Sequence, residues 1–88
     1  TALAWGLVNR VADAAALDAA VDELVGGILA AAPGAVRLQK ALMLRWRYSD
    51  LATAIAAGVD AFAAAYATGE PAEGARAFLE RRAPRFGG

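Results

Sequence analysis

The 88-residue chain contains no cysteine and no histidine. That excludes disulfides, Cys/His zinc sites, cysteine nucleophiles and histidine-based proton transfer from within it. It has no excess of either charge: nine basic residues balance nine acidic ones. A balanced charge argues against a general nucleic-acid or anionic-membrane binder. Long apolar runs are also missing, because Asp, Glu, Arg and Lys interrupt the helical stretches, so no membrane span is expected. No basic-then-apolar leader opens the chain. A soluble, cytoplasmic protein is the expectation, with no metal site.

Alanine is abundant, at 26 of 88 positions, and hydrophobic residues reach 59%. The usual apolar share is roughly 45–50% even with glycine counted. A domain of this length buries only about 60–65% of its unfolded surface, so its own core is marginal. A short chain this apolar should bury surface against something beyond itself. Ala2-Leu3-Ala4-Trp5-Gly6 reads as the end of a helix closed by a glycine. A domain rarely starts on the last turn of a helix, which predicts sequence upstream; N-terminal processing is the alternative.

Leu7 to Val11 is short, apolar and partly β-branched, an extended connector or a strand without a partner. Asp13 is a candidate N-cap for a first helix over about 14–31. There Leu17, Val21, Leu24, Val25 and Ile28 fall on one side. Gly26-Gly27 inside it permits either close helix approach or flexibility. Pro33 opens a second helix to about Arg47. Its apolar arc holds Val36, Leu38, Leu42, Met43 and Trp46; Arg37, Lys40, Arg45 and Arg47 hold the other. Leu44, among the basic residues, is a lone exposed leucine or part of a contact.

Ser49 as a cap, with Asp50 in the first turn, starts a third helix to about Thr68. Leu51, Ile55, Val59, Phe62 and Tyr66 form a bulky stripe, expected to be core. Ala54, Gly58, Ala61 and Ala65 lie beside it, and the remaining face is mostly alanine. A solvent-facing helix normally carries more charge, so this one is expected to be covered on more than one side in the complete assembly. Gly69-Glu70-Pro71 leads into a fourth helix over about 71–82, which Pro84 stops. The fold class is therefore all-α: about four short helices after an N-terminal extended segment.

No glycine-rich phosphate loop follows a strand, and no carboxylate pair is spaced for acid–base work. Glu73 and Glu80 share a helix face and are expected to be solvated. The basic arc of the second helix is expected to be a solvated face, or a partner to the acidic first helix, more than a phosphate site. Phe78 and Arg81, three apart, are expected to be helical neighbours. An aromatic beside a guanidinium can hold a flat ring or a phosphate edge, although an aromatic at such a position is more often core.

Three stretches carry a resemblance. They are Ala4-Trp5-Gly6-Leu7-Val8-Asn9-Arg10-Val11, the segment Ala32-Pro33-Gly34-Ala35-Val36-Arg37-Leu38-Gln39-Lys40-Ala41-Leu42, and Glu73 through Phe86 (EGARAFLERRAPRF). In order and spacing they resemble the C-terminal region of the enoyl-CoA hydratase/isomerase (crotonase) family. The resemblance implies a spiral ββα catalytic domain ending near residue 11, then a helical trimerisation and lid region over 12–88. It implies an acyl-CoA substrate, with coenzyme A as part of that substrate and no separate cofactor. It also implies a homotrimer or dimer of trimers, and the spiral domain as a covalent partner. The family's oxyanion-hole amides and glutamates belong to the spiral domain, so no catalytic residue is expected among these 88. At the site, the resemblance puts Phe78 against the adenine and Arg81, where lysine is more usual, near the phosphates. Hydratase is the leading activity, isomerase a relative. A free-standing helical oligomerisation module without catalysis is the alternative.

Overall fold

A computed structural model describes residues 1–87. The chain forms two compact units, Thr1–Ala30 and Ala31–Gly88. A 3₁₀ turn over Ala14–Ala16 precedes four helices: α1 (Leu17–Leu29), α2 (Pro33–Trp46), α3 (Leu51–Tyr66) and α4 (Glu70–Leu79). The described residues are all-α, with no strand.

In the first unit, the opening residues make one helical turn that ends in a Schellman motif. Gly6, at φ +74°, donates to Leu3 O at 3.1 Å, and Leu7 N donates to Ala2 O at 2.9 Å. The left-handed backbone is why glycine stands at that position. Asp13 precedes the 3₁₀ turn with an extended backbone, as a cap would, but its side chain makes no capping bond. The turn is closed through its backbone oxygen, which accepts from Ala16 N at 2.9 Å. The extended segment runs beside α1, pinned by an ion pair from Arg10 to Glu23 at 2.7 Å. Asn9, Arg10 and Ala12 with Leu17, Val21 and Leu24 line an apolar hollow of about 260 Å³ there. A side chain at Gly26 or Gly27 would meet open space within this unit.

In the second unit, α2 and α4 both pack on α3 or its neighbourhood. α3 begins at Asp50. Its carboxylate accepts from Thr53 N at 2.8 Å and from Thr53 Oγ1 at 2.9 Å. The cap is thus Asp50, not Ser49 as the sequence suggests; Ser49 Oγ instead donates to Arg45 O at 2.8 Å, at the end of α2. An aspartate can satisfy an amide and a hydroxyl together, whereas a serine oxygen pointed back to α2 serves neither. Trp46 Nε1 then donates to Ala54 O at 2.9 Å and ties the end of α2 to α3.

The inward face of α3 is its small-residue side. Ala57 is buried, and Ala54, Gly58, Ala61 and Ala65 are partly covered. A Cβ on Gly58 would sit 3.6 Å from Trp46 Cζ2, ordinary contact distance, so the small side is what lets the indole lie close. The bulky stripe of Leu51, Ile55, Val59, Phe62 and Tyr66 faces outward instead, each residue 60 to 77% exposed. Reading that stripe as the core of this chain is therefore incorrect. Periodicity identifies an apolar face but not which of two adjacent apolar faces meets its own neighbours. The arc of α2 also divides. Leu42 is buried and Leu38 half-buried toward α3, while Val36 and Met43 stay exposed around a separate shallow hollow. Leu44 is exposed as well. Among described residues only Leu42, Ala57 and Ala77 are buried apolar side chains. No single described helix is long and apolar enough to cross a membrane.

Candidate functional site

The residues singled out for ligand binding lie at the end of α4, and the local sequence determines how that end is built. α4 starts from Gly69 at φ +78°, with Thr68 Oγ1 accepting from Glu70 N at 3.1 Å. The Glu70 carboxylate turns away from its own helix. It accepts from Gly34 N at 2.6 Å and Ala35 N at 2.8 Å. These are the free amides of the first turn of α2, where Ala32 offers no capping side chain and Pro33 has no N–H. A carboxylate there also meets the positive end of the helix dipole.

One turn on, Glu73 organises the C-terminal segment. Its carboxylate receives Arg82 Nη1 at 2.6 Å and Nη2 at 3.2 Å, and Arg85 N at 2.8 Å. Arg76 lies 3.9 Å away. The side chain of Glu73 is only 18% exposed, so the expectation of a solvated Glu73–Glu80 face fails for Glu73. Those residues after the helix fold back onto it and cover that carboxylate. The bidentate Arg82 guanidinium, and then the Arg85 amide, hold the Glu73 pKa down to about 2. Arg82 also donates from Nε to Glu80 Oε2 at 2.5 Å, and its two carboxylate partners push its pKa further up.

Phe78 stands on the last turn of α4 and is 82% exposed, which removes the reading of it as a core aromatic of this chain. Arg81 is not on the helix. α4 ends at Leu79, and Arg81 adopts a left-handed backbone at φ +53°. The pair are therefore not neighbours one turn apart on a helical face. They are joined through a Schellman motif, in which Arg81 N donates to Phe78 O at 3.2 Å and Arg82 N to Ala77 O at 3.0 Å. The sequence hides this ending because an arginine occupies the position where glycine is the usual signal. Arg81 is exposed and has no carboxylate within ion-pair distance among the described residues.

The end of α4 thus carries an exposed aromatic ring at Phe78 and, on a backbone turn fixed by hydrogen bonds, an exposed guanidinium at Arg81. The clamp through Glu73, Arg82 and Arg85 escapes a reading of helical spacing, since nine and twelve residues separate its ends. The basic residues Arg37, Lys40, Arg45 and Arg47 of α2 are exposed and make no ion pair among described residues. No cluster of three metal-ligating side chains occurs among described residues.

Comparison with known proteins gives a consistent picture. The chain is similar to a crotonyl-CoA hydratase from Syntrophomonas wolfei, 38% identical over 81 residues, covering 92% of this chain and 31% of that protein. It is similar to a short-chain-enoyl-CoA hydratase from Clostridium acetobutylicum, 35% identical over 81 residues with the same shares covered. A mevalonyl-coenzyme A hydratase from Aspergillus fumigatus is 37% identical over 84 residues, covering 93% of this chain and 31% of that protein. The chain spans about a third of the length of these curated relatives, at their C-terminal end. No family model and no solved structure matches it. Sequence motifs, helical architecture and relatives agree, and the chain belongs to the enoyl-CoA hydratase (crotonase) family as a counterpart of its C-terminal region.

Proposed function

We propose that this chain is the helical C-terminal part of an enoyl-CoA hydratase, where it supplies contacts between subunits and part of the wall of the coenzyme A site. The groups that add water to a 2-enoyl thioester lie outside it. The observation that carries the reading is the alignment of more than nine-tenths of this chain with three coenzyme A thioester hydratases. The chain's own chemistry is compatible: it has no histidine or cysteine, and its largely covered carboxylate Glu73 is committed to Arg82. In this role Phe78 stacks on the adenine and Arg81 pairs with a phosphate of the acyl-CoA.

The outward stripe of α3 supports the contact role. Five bulky apolar side chains on consecutive turns are open to solvent in the chain alone, and such a surface is normally covered by protein. A homotrimer, or a dimer of trimers, together with a catalytic domain joined to the first residues, supplies that cover.

The test is hydration of a short-chain 2-enoyl-CoA by the full-length protein, followed through loss of the conjugated thioester's ultraviolet absorbance. Turnover with a trimeric or hexameric mass in analytical ultracentrifugation is the expected result. A stable oligomer with neither turnover nor affinity for coenzyme A overturns it in favour of a helical assembly module.

A further inference from the structure

We propose that Glu73 is a positioning residue for phosphate recognition, acting through Arg82 to hold the left-handed turn on which Arg81 is presented. This inference deepens the reading of Phe78 and Arg81 as coenzyme A contacts and rests on it.

Arg81 is the only non-glycine residue with positive φ among the described residues. A residue with a Cβ resists that backbone, and such outliers persist where surrounding contacts over-determine them. Here the contacts are visible on both sides of the residue. Before it, the Arg81 amide is bonded to Phe78 O and the next amide to Ala77 O. After it, Arg82 is locked to Glu73 by two parallel bonds, and Arg85 N is bonded to the same carboxylate. Glu73 therefore grips the chain one and four residues beyond Arg81 from a helix turn that precedes it.

The consequence for Arg81 is directional. Had the helix continued, its side chain would have risen from the same side of the helix as Phe78. The left-handed turn takes it off that surface, and it makes no ion pair among the described residues. Meanwhile the neighbouring Arg82 is fully engaged by Glu73 and Glu80. Of two adjacent arginines, one is consumed in fixing the turn and the other keeps its charge with no carboxylate partner among the described residues. A guanidinium so placed, presented on a turn fixed at both ends three residues after an exposed aromatic, suits a phosphate attached to a ring stacked on that aromatic, and a fixed turn raises affinity by lowering the ordering cost.

The experiment measures the Kd of the full-length protein for coenzyme A and for pantetheine, which lacks the adenine and the nucleotide phosphates. The variants are Glu73→Gln, Arg82→Lys, Arg81→Ala and the two doubles that combine Arg81→Ala with Glu73→Gln or with Arg82→Lys. Arg82→Lys serves if Glu73→Gln compromises folding, since it removes the bidentate geometry and keeps the charge. The expected result is that Glu73→Gln and Arg82→Lys each weaken coenzyme A binding roughly three- to tenfold, leave pantetheine unchanged, and add nothing once Arg81 is alanine. Equal weakening of both ligands, or full additivity with Arg81→Ala, assigns Glu73 to stability alone and overturns the proposal. If Arg81→Ala weakens coenzyme A while Glu73→Gln and Arg82→Lys do not, positioning fails and the phosphate contact stands. If Arg81→Ala has no effect on coenzyme A, the contact itself fails, and positioning with it.

Discussion

Glu70 caps a helix other than its own: its carboxylate accepts from Gly34 N at 2.6 Å, thirty-six residues earlier in the chain. A Cβ added to Gly34 would fall 2.8 Å from Glu70 Oε2, so the glycine and the carboxylate fit only together. Replacing Glu70 with alanine is expected to destabilise the fold by roughly 0.5–2 kcal/mol, the usual range for a lost helix cap. Gly34→Ala should act in the same direction by displacing the carboxylate. Neither change should add to the other, because they remove one interaction. Thermal unfolding of the two single variants and the double, followed by circular dichroism, checks this.

Acid should loosen the segment after α4 late. The Glu73 carboxylate is depressed from 4.5 to about 2 by Arg82 and the Arg85 amide. A depressed folded-state pKa means that its contribution is fully present above about pH 4.5. It is lost as pH falls from there through about 2. The melting temperature of the unaltered protein should therefore decline across that window, and Glu73→Gln should flatten that part of the profile. An unchanged profile in the variant would count against the clamp.

Gly26 and Gly27 sit inside α1 with open space where a side chain would be. Alanine at either should stabilise the helix by roughly 0.8–1 kcal/mol, the difference in helix propensity. Chemical denaturation of the chain reads the change. A loss of stability in the full-length protein, with a gain in the chain alone, would instead locate a close partner over these two positions.

Arg81→Gly should separate stability from binding. Glycine adopts the left-handed turn without the roughly 1–2 kcal/mol cost that a Cβ imposes, so unfolding should shift to higher temperature. The same change removes the guanidinium, so coenzyme A should bind more weakly. The two measurements moving in opposite directions is the expected signature of strain retained for recognition.

Val59→Lys tests the outer stripe. Val59 is exposed in the chain, so a charge there should alter the stability of an isolated chain by no more than about 0.5 kcal/mol. Sedimentation of the full-length protein should nevertheless show smaller species, since a buried unpaired charge disrupts an apolar contact.

Helix number, order and approximate ends are readable from residues whose effect is local. Pro33 and the Ser49-Asp50 pair mark helix starts because their chemistry acts within one turn, although the cap itself is Asp50 and not Ser49, and Gly6 closes the first turn for the same reason. What escapes the sequence depends on contacts across distance. The Glu70 cap, the Glu73 clamp and the choice of the small side of α3 as its inner side all need the path of the chain between the participants. Arg81 escapes differently, since a bulky residue stands where the rule expects glycine. At the site, the residue types at 78 and 81 are legible through resemblance, whereas the turn that separates them is a tertiary result.

Helix α3 keeps its two apolar sides for two different audiences. Alanines and Gly58 face α2 and the Trp46 indole, while the larger residues from Leu51 to Tyr66 look outward. On the proposed reading of the outer stripe as a subunit contact, substitutions there change what the chain assembles with while the small residues on the inner side keep the helices packed, so assembly and tertiary fold are separable within one helix.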